Sequence, residues 1–294
     1  GLVGSEMCIR DSTRTHDSLK ISNGKWIWWS RGIGGRSALD YLIKVKGYSF
    51  LEAVETIIGH TAIQAPVYEK PQLKEENKPL LLPEKCASNR VITEYLFGRG
   101  IDFEIINYCI SNDLIFESLP YHNVVFVGYD EKKEPKYAAY RSTNKRRIMG
   151  DCSGSKKDYS FRLGKENLEE VHLFECAIDL LSYATLAKLN GQDWKEMSFV
   201  SLSGVYSPAK KIEDSKVPIA LEKYLGSNPS VRKIRIHFDN DIAGRKAAQT
   251  LKTILPDKYE IVDEPPKAGK DFNDFLCMRM GIYNKKTHER NEER

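Results

Sequence analysis

Four short apolar runs punctuate the last third of the chain at Val171–Phe174, Phe199–Leu202, Ile234–Phe238 and Tyr259–Val262. Each is bounded by polar or turn-forming residues and is short enough to be a buried strand. Between them the apolar period changes. Leu180, Leu181, Ala184 and Leu186 recur at helical spacing, Ile219–Leu225 forms a second helical stretch, and Ala243 to Ile254 a third. Strands alternating with helices predict a parallel sheet, so this part of the chain is expected to be α/β.

The preceding pattern is more mixed. Val91–Leu96 and Phe103–Ile110 predict two short helices joined at Arg99-Gly100-Ile101-Asp102, with Asp102 capping the second. Asn123–Gly128 and Lys136–Arg141 predict strands joined by a turn near Asp130–Pro135. At the front, Ser18–Ile21, Gly24–Trp29 and Gly32–Gly35 predict a ribbon, followed by helical stretches at Ala38–Val45 and Ser49–Val54. Residues 61–89 carry Pro66, Pro71, Pro79 and Pro83 among Glu and Lys with no period, and predict a linker. Residues 284–294 are almost wholly polar and predict a disordered tail. Residues 1–12 read as translated adaptor sequence fused to a truncated reading frame and are set aside from the fold. The expected order is therefore residues 13–60, a linker, residues 90–165, residues 166–283 and the tail.

Chemistry enters where the strands stop. The first run ends at Glu175, and the third at Asp239-Asn240-Asp241 ahead of Ile242-Ala243-Gly244-Arg245. In an open α/β sheet the carboxyl ends of the strands share one crevice, so remote acids can meet there. Two carboxylates about 4 Å apart repel by roughly 4 kcal/mol at an effective dielectric near 20. A hard divalent cation with oxygen ligands removes that cost, and Mg²⁺ held by a few carboxylates while keeping room for phosphates is the usual solution. Either acid alone reads better as a helix cap. Asp179, one helical turn after Glu175, and the Lys270-Asp271-Phe272-Asn273-Asp274 cluster after the last strand favour the shared-cation reading.

These motifs, in this order, resemble the toprim domain of bacterial primases, type IA and II topoisomerases and some nucleases. The matching stretches are Leu173-Phe174-Glu175-Cys176-Ala177-Ile178-Asp179, Phe238-Asp239-Asn240-Asp241-Ile242-Ala243-Gly244-Arg245, and Asp271 with Asp274, across roughly residues 169–280. The primase branch, and relatives of DnaG-type primases carried on plasmids and integrative elements, are the most similar. The resemblance implies a toprim-type, Rossmann-like parallel sheet, preceded by an α+β primase-like subdomain and a small zinc-ribbon-like domain. It also implies Mg²⁺- or Mn²⁺-dependent nucleotidyl transfer on single-stranded DNA from nucleoside triphosphates. Glu175, Asp239 and Asp241 would be catalytic, and with Asp271 and Asp274 they would hold the metal. Asp179, Arg245, Lys270 and Asn273 would support them. Lys270 reads either as a phosphate contact or as a partner of Asp271.

The ribbon departs from its family. Primase ribbons carry Cys and His ligands, whereas Trp26-Ile27-Trp28-Trp29-Ser30-Arg31-Gly32-Ile33-Gly34-Gly35 has none, and His16 with the distant Cys8 cannot complete a tetrahedral site. No zinc is expected. Trp26, Trp28 and Arg31 could form a base-stacking and phosphate-binding face, or the tryptophans could be a metal-free core. Arg141, Lys145, Arg146, Arg147, Lys156 and Lys157 form a basic cluster expected to face template or nucleotide phosphates.

Composition sets bounds on this picture. The 294 residues suffice for two or three domains, and 41% hydrophobic residues suffice for cores. A formal charge of +4 permits nucleic-acid binding without requiring it. The six cysteines show no Cys-x-x-Cys pair and no scaffold rhythm, which fits a reducing cytoplasm. No apolar stretch is long enough to span a membrane. Replication or conjugation proteins of a mobile element are the expected protein partners. A non-catalytic nucleic-acid-binding factor and a toprim nuclease are the alternative functions.

Overall fold

A computed structural model of the chain describes residues 11–13, 16–22, 25–58, 78–144, 148–204, 206, 208–209 and 212–282. Residues 1–10 of the adaptor-like stretch 1–12, the first part of the expected linker and the expected tail lie outside the described residues, as do Lys145, Arg146 and Arg147 of the basic cluster, while Asp11 and Ser12, set aside with that stretch, belong to a strand. The chain divides into two compact units, Gly1–Lys74 and Glu75–Arg294.

The first unit is a four-stranded antiparallel sheet in chain order, β1 (Asp11–Thr13), β2 (His16–Ser22), β3 (Lys25–Trp28) and β4 (Ile33–Gly35). Helices α1 (Ala38–Lys44) and α2 (Phe50–Ile58) follow. Strand β3 alternates as its sequence dictates, with Lys25 and Ile27 exposed and Trp26 and Trp28 buried. The two tryptophans and Leu19 form the core, closed by Tyr41 and Val45 of α1. Trp26 meets Tyr41 edge-on at a centroid distance of 5.7 Å. Gly35 is required at its position because a Cβ there would lie 2.6 Å from Trp26 Nε1. Ser49 and Glu52 exchange side-chain and backbone hydrogen bonds at 2.7 and 3.3 Å, a reciprocal cap that starts α2.

The second unit begins with α3 (Arg90–Phe97) and α4 (Phe103–Ser111), the latter capped by Asp102, whose carboxylate accepts from Glu104 N at 2.8 Å. An antiparallel meander follows, β5 (Ile115–Glu117), β6 (Val124–Tyr129), β7 (Pro135–Arg141) and β8 (Met149–Asp151). Residues 78–89, expected as linker, are instead pinned to this sheet. Leu81 N donates to Ser153 O, Leu119 N to Glu84 O and Cys86 N to Glu117 O. Prolines without period described an extended edge segment here, not a spacer.

The remaining strands are β9 (Arg162–Gly164), β10 (Glu170–Phe174), β11 (Ser198–Ser201), β12 (Lys233–Ile236) and β13 (Glu260–Asp263). They form one sheet of order β13-β12-β10-β11-β9, parallel except for the antiparallel edge strand β9. Helices α5 (Ala177–Leu189) and α8 (Phe272–Arg279) cover one face, α6 (Ile219–Ser227) and α7 (Ile242–Ile254) the other. The strands obey the period of two: Val171, Leu173, Ile234 and Ile236 pack on α6 and α7, while Phe174 packs toward α5 and α8. That second face also takes Ile92, Leu96, Ile105 and Ile106 of α3 and α4, so one core joins the front helices to the parallel sheet. Each of these fully buried aliphatic side chains contributes roughly 1.5–3 kcal/mol.

Candidate active site

Strand β10 has parallel neighbours on both sides, β11 and β12. The chain moves from β10 to β11 in one direction and returns across it to β12, making the carboxyl ends of β10 and β12 the switch point where ligands enter such sheets. Glu175 leaves the first of these strands, and Asp239 and Asp241 follow the second.

The side chains converge there. Glu175, 5% exposed, accepts a hydrogen bond at Oε1 from Asp239 N at 3.2 Å. Burial, reinforced by the charge of Asp239, pushes its carboxyl up to about 7. Asp239 is also raised by burial, although Lys270 works against the shift. Asp241 caps α7, taking Gly244 N on Oδ1 at 2.9 Å, and this hydrogen bond holds it below the ordinary carboxylate value. Lys270 Nζ lies 3.2 Å from Asp239 Oδ2 and 3.2 Å from Asp241 Oδ2. Partial burial opposes charging of Lys270, yet the two carboxylates raise it, so it stays an ammonium. Lys270 thus pairs with Asp239 and Asp241; pairing with Asp271, one of its two expected uses, is not the contact formed. Its backbone carbonyl takes Asn240 N at 2.7 Å, tying the two loops together.

A second tier of acids backs the first. Asp179 in the opening turn of α5 is buried, accepting from Cys176 Sγ at 2.9 Å and from Asn273 N at 3.2 Å. Burial and the nearby charge of Asp271 raise its carboxyl. Asp271 caps α8 by accepting Asp274 N at 2.7 Å, and its charge reaches both Asp179 and Asp239. Asp274 is raised by burial and by Asp271. Asn273 is buried and spends its amide on Arg99 O at 2.9 Å and Ser182 Oγ at 3.0 Å, fastening α8 to α5 and to the loop after α3. Arg245 does not touch the carboxylates of Glu175, Asp239 or Asp241: it donates to Asp239 O, Phe238 O and the Asp263 carboxylate at 3.2, 2.9 and 2.8 Å.

Sequence reasoning missed two parts of this arrangement. Gly244 sits where a Cβ would lie 2.2 Å from Asp239 O and 2.9 Å from Glu175 Oε1, so only glycine lets α7 approach the acids. The Cys176 thiol, its ionisation suppressed by burial and by Asp179, is a neutral donor to that acid. The motif Ala-Gly after the acid pair was the available signal for the first; nothing in the spacing of the cysteines pointed to the second.

The donor set fits a hard divalent cation. Three carboxylates gather at two strand ends, Glu175 raised by burial and by the charge of Asp239, and Asp239 raised by burial, while the Lys270 ammonium bridges an oxygen of Asp239 and one of Asp241 in the place a cation would take.

The expected nucleic-acid residues divide. Arg141 and Tyr140 at the end of β7 line a cavity of about 310 Å³ with Cys176 and Ala177 at the start of α5 and with Ser203 and Gly204. Lys157 pairs with Asp151 at 3.1 Å beside this cavity, and Lys156 is exposed. In the first unit, Trp26 and Trp28 are 5% and 4% exposed, so their faces serve the core and are closed to bases, which overturns the stacking reading for them. Arg31 lies over the Trp28 ring at 4.0 Å, covering it. Trp29, 66% exposed, is the ribbon's accessible indole.

Two family models match the chain. One, described as a protein of unknown function (DUF3991), matches residues 94–167. The other, described as Toprim-like, matches residues 172–276 and contains every acid of the site from Glu175 to Asp274. The C-terminal part of the chain is therefore toprim-like, as its three motifs implied. An uncharacterized protein of Bacillus anthracis, pXO2-78, is 26% identical, over 90% of this chain and 80% of that protein. Similar solved structures include the primase fragment of the bacteriophage T7 primase-helicase protein, 18% identical with a TM-score of 0.43 over 66% of this chain and 72% of that one. The Aquifex aeolicus primase zinc-binding and RNA polymerase domains are 16% identical with a TM-score of 0.40, over 93% and 76%.

Proposed function

We propose that this chain is a primase-like nucleotidyl transferase of a mobile genetic element, using nucleoside triphosphates, a single-stranded DNA template and Mg²⁺ or Mn²⁺. The observation that carries the proposal is the convergence of Glu175, Asp239 and Asp241 at the switch point of a toprim-like sheet, with a carboxyl poised near neutrality.

Asp239 and Asp241 would hold the cation, with Glu175 completing the set and Asp271 and Asp274 adding negative field. When bound there, the divalent ion supplies charge neutralisation on phosphate oxygens and on the departing pyrophosphate. The remaining work belongs to the chain. In the other role open to it, Glu175 does not ligate the ion but accepts the proton of an attacking 3′-hydroxyl as the oxygen–phosphorus bond forms and the bond to the β-phosphate oxygen breaks. Lys270 balances the acids until a cation arrives. Its half-exposed ammonium, 57% accessible, is then free to meet a phosphate. Asn273, Cys176 and Arg245 fix the acids from behind. Arg141 lines a cavity that adjoins α5, on the route a phosphate backbone would take to Glu175.

The test is incubation of the full chain with single-stranded DNA, labelled nucleotides and Mg²⁺ or Mn²⁺. New oligonucleotides are the expected product. Shortened template would instead identify a nuclease, and retarded template with neither product a binding factor.

A further inference from the structure

Away from the acids, Cys86, Glu117 and His122 bring a sulfur, a carboxylate oxygen and a ring nitrogen within 4.8 Å of one another. They come from three segments: the stretch before α3, the end of β5 and the turn before β6. We propose that this triad is a binding site for a borderline-soft divalent ion, Zn²⁺ above all, that clasps those three segments together.

The donor set selects the metal. Thiolate and imidazole favour zinc, whereas Mg²⁺ and Mn²⁺ prefer the all-oxygen cluster after β10 and β12. Three protein ligands leave the fourth tetrahedral position to water. The carboxylate is already oriented as a ligand: Glu117 is 2% exposed, and its Oε2 accepts Val91 N at 2.9 Å and Ile92 N at 3.2 Å, leaving Oε1 to face His122. Backbone bonds set the other two donors. Cys86 N donates to Glu117 O at 2.7 Å, and His122 N donates to Ser118 O at 2.8 Å. His122 holds a left-handed backbone, φ 53°, which costs energy in a non-glycine residue and keeps its ring on Glu117.

One adjustment is needed. His122 Nδ1 and Glu117 Oε1 share a hydrogen bond of 2.6 Å, whereas two ligands each about 2.0–2.2 Å from a tetrahedral zinc stand roughly 3.4 Å apart. The imidazole, 46% exposed, has room to turn by that amount. Ligation through Nδ1 takes the neutral imidazole as its Nε2–H tautomer and Cys86 as a thiolate, with the thiol proton released to solvent, so affinity falls as pH falls. The spacing of these residues matches no zinc motif, and the proposal departs from the sequence-based expectation of no zinc.

The full chain, stripped with chelator, should be titrated with Co²⁺ in excess Mg²⁺. The expected result is one equivalent carrying a thiolate charge-transfer band in the near ultraviolet, displaced by Zn²⁺. Cys86→Ser should abolish the band and His122→Asn should weaken binding on the order of a hundredfold. Zn²⁺ should raise the melting temperature of the parent protein and leave that of Cys86→Ser unchanged. A saturated parent protein without the band, or a band that persists in Cys86→Ser, overturns the assignment. Asp239→Asn, folded and outside the triad, should keep the band in full, which separates this site from the acid cluster.

Discussion

The carboxylate of Glu175 accepts the backbone N–H of Asp239 at 3.2 Å, so the ends of two neighbouring strands are joined by the side chain proposed to handle the proton. This hydrogen bond orients Oε1, yet it does not offset the cost of burying the charge, because the carboxyl remains pushed up to about 7. The site is therefore an electrostatic debt that a bound cation would cancel.

That debt should be visible in the pH dependence of stability. The folded value of about 7 exceeds the ordinary 4.5, so the folded state holds this proton more tightly than the unfolded chain. The contribution of Glu175 to stability is complete below about pH 4.5 and is lost as pH rises through 7, by roughly 3 kcal/mol. Denaturant titrations in chelator from pH 4.5 to 8 should show this decline. Glu175→Gln should make it shallower, leaving the part carried by Asp179, Asp239 and Asp274, and saturating Mg²⁺ should restore stability at the alkaline end. An identical decline in Glu175→Gln would place the titration elsewhere.

Much of this architecture was legible in the order of residues. Strands β10 and β12 and helices α5 and α7 announce themselves because both sheet faces are covered and the apolar period changes sharply between elements. The acids were legible because they directly follow those strands. Strands β8 and β9, three residues each, carry no period, and β9 is defined by pairing with β11 far along the chain. Helix α8 escaped because Asp271, Asn273 and Asp274 read as an acidic cluster. The same residues also cap the helix and bury Asn273 against Arg99 and Ser182. Lys270 between Asp239 and Asp241 depends on a through-space approach that no spacing encodes, whereas Gly244 was signalled by the Ala-Gly pair after the acids.

Asp239→Asn with Asp241→Asn should abolish turnover and leave DNA retention largely intact. Asparagine caps a helix as well as aspartate does, so α7 keeps its start and the melting temperature should change little. Asp241→Ala, by contrast, removes the cap to Gly244 N and should cost about 1 kcal/mol besides the activity. Gel retardation and primer synthesis on the same preparations separate the effects. Full synthesis by the double variant would remove these acids from the reaction.

Gly244→Ala sets two effects against each other. Alanine in the first turns of α7 gains up to about 1 kcal/mol in helix propensity. The new Cβ, however, would lie 2.2 Å from Asp239 O, a backbone atom that cannot swing aside. Overpacking of this kind costs about 1–3 kcal/mol, so net destabilisation is expected, together with loss of turnover as the helix is driven off Glu175 and Asp239. Thermal melts and synthesis assays check both parts; an unchanged melt with full activity would show that the close approach is not needed.

The ribbon offers the sharpest separation between core and contact. Trp28, 4% exposed, lies in the core of the first unit beside Leu19, whereas Trp29 next to it is 66% exposed. Trp28→Ala removes a large buried ring and should cost about 3–5 kcal/mol, enough to unfold a unit whose core is this small. Trp29→Ala should leave the fold untouched. If the ribbon engages single-stranded DNA through its accessible indole, that variant loses about 1–3 kcal/mol of binding, read as a rise in the dissociation constant of at least fivefold in gel retardation. Equal affinity in Trp29→Ala would mean that the tryptophan-rich ribbon contributes structure alone to template binding.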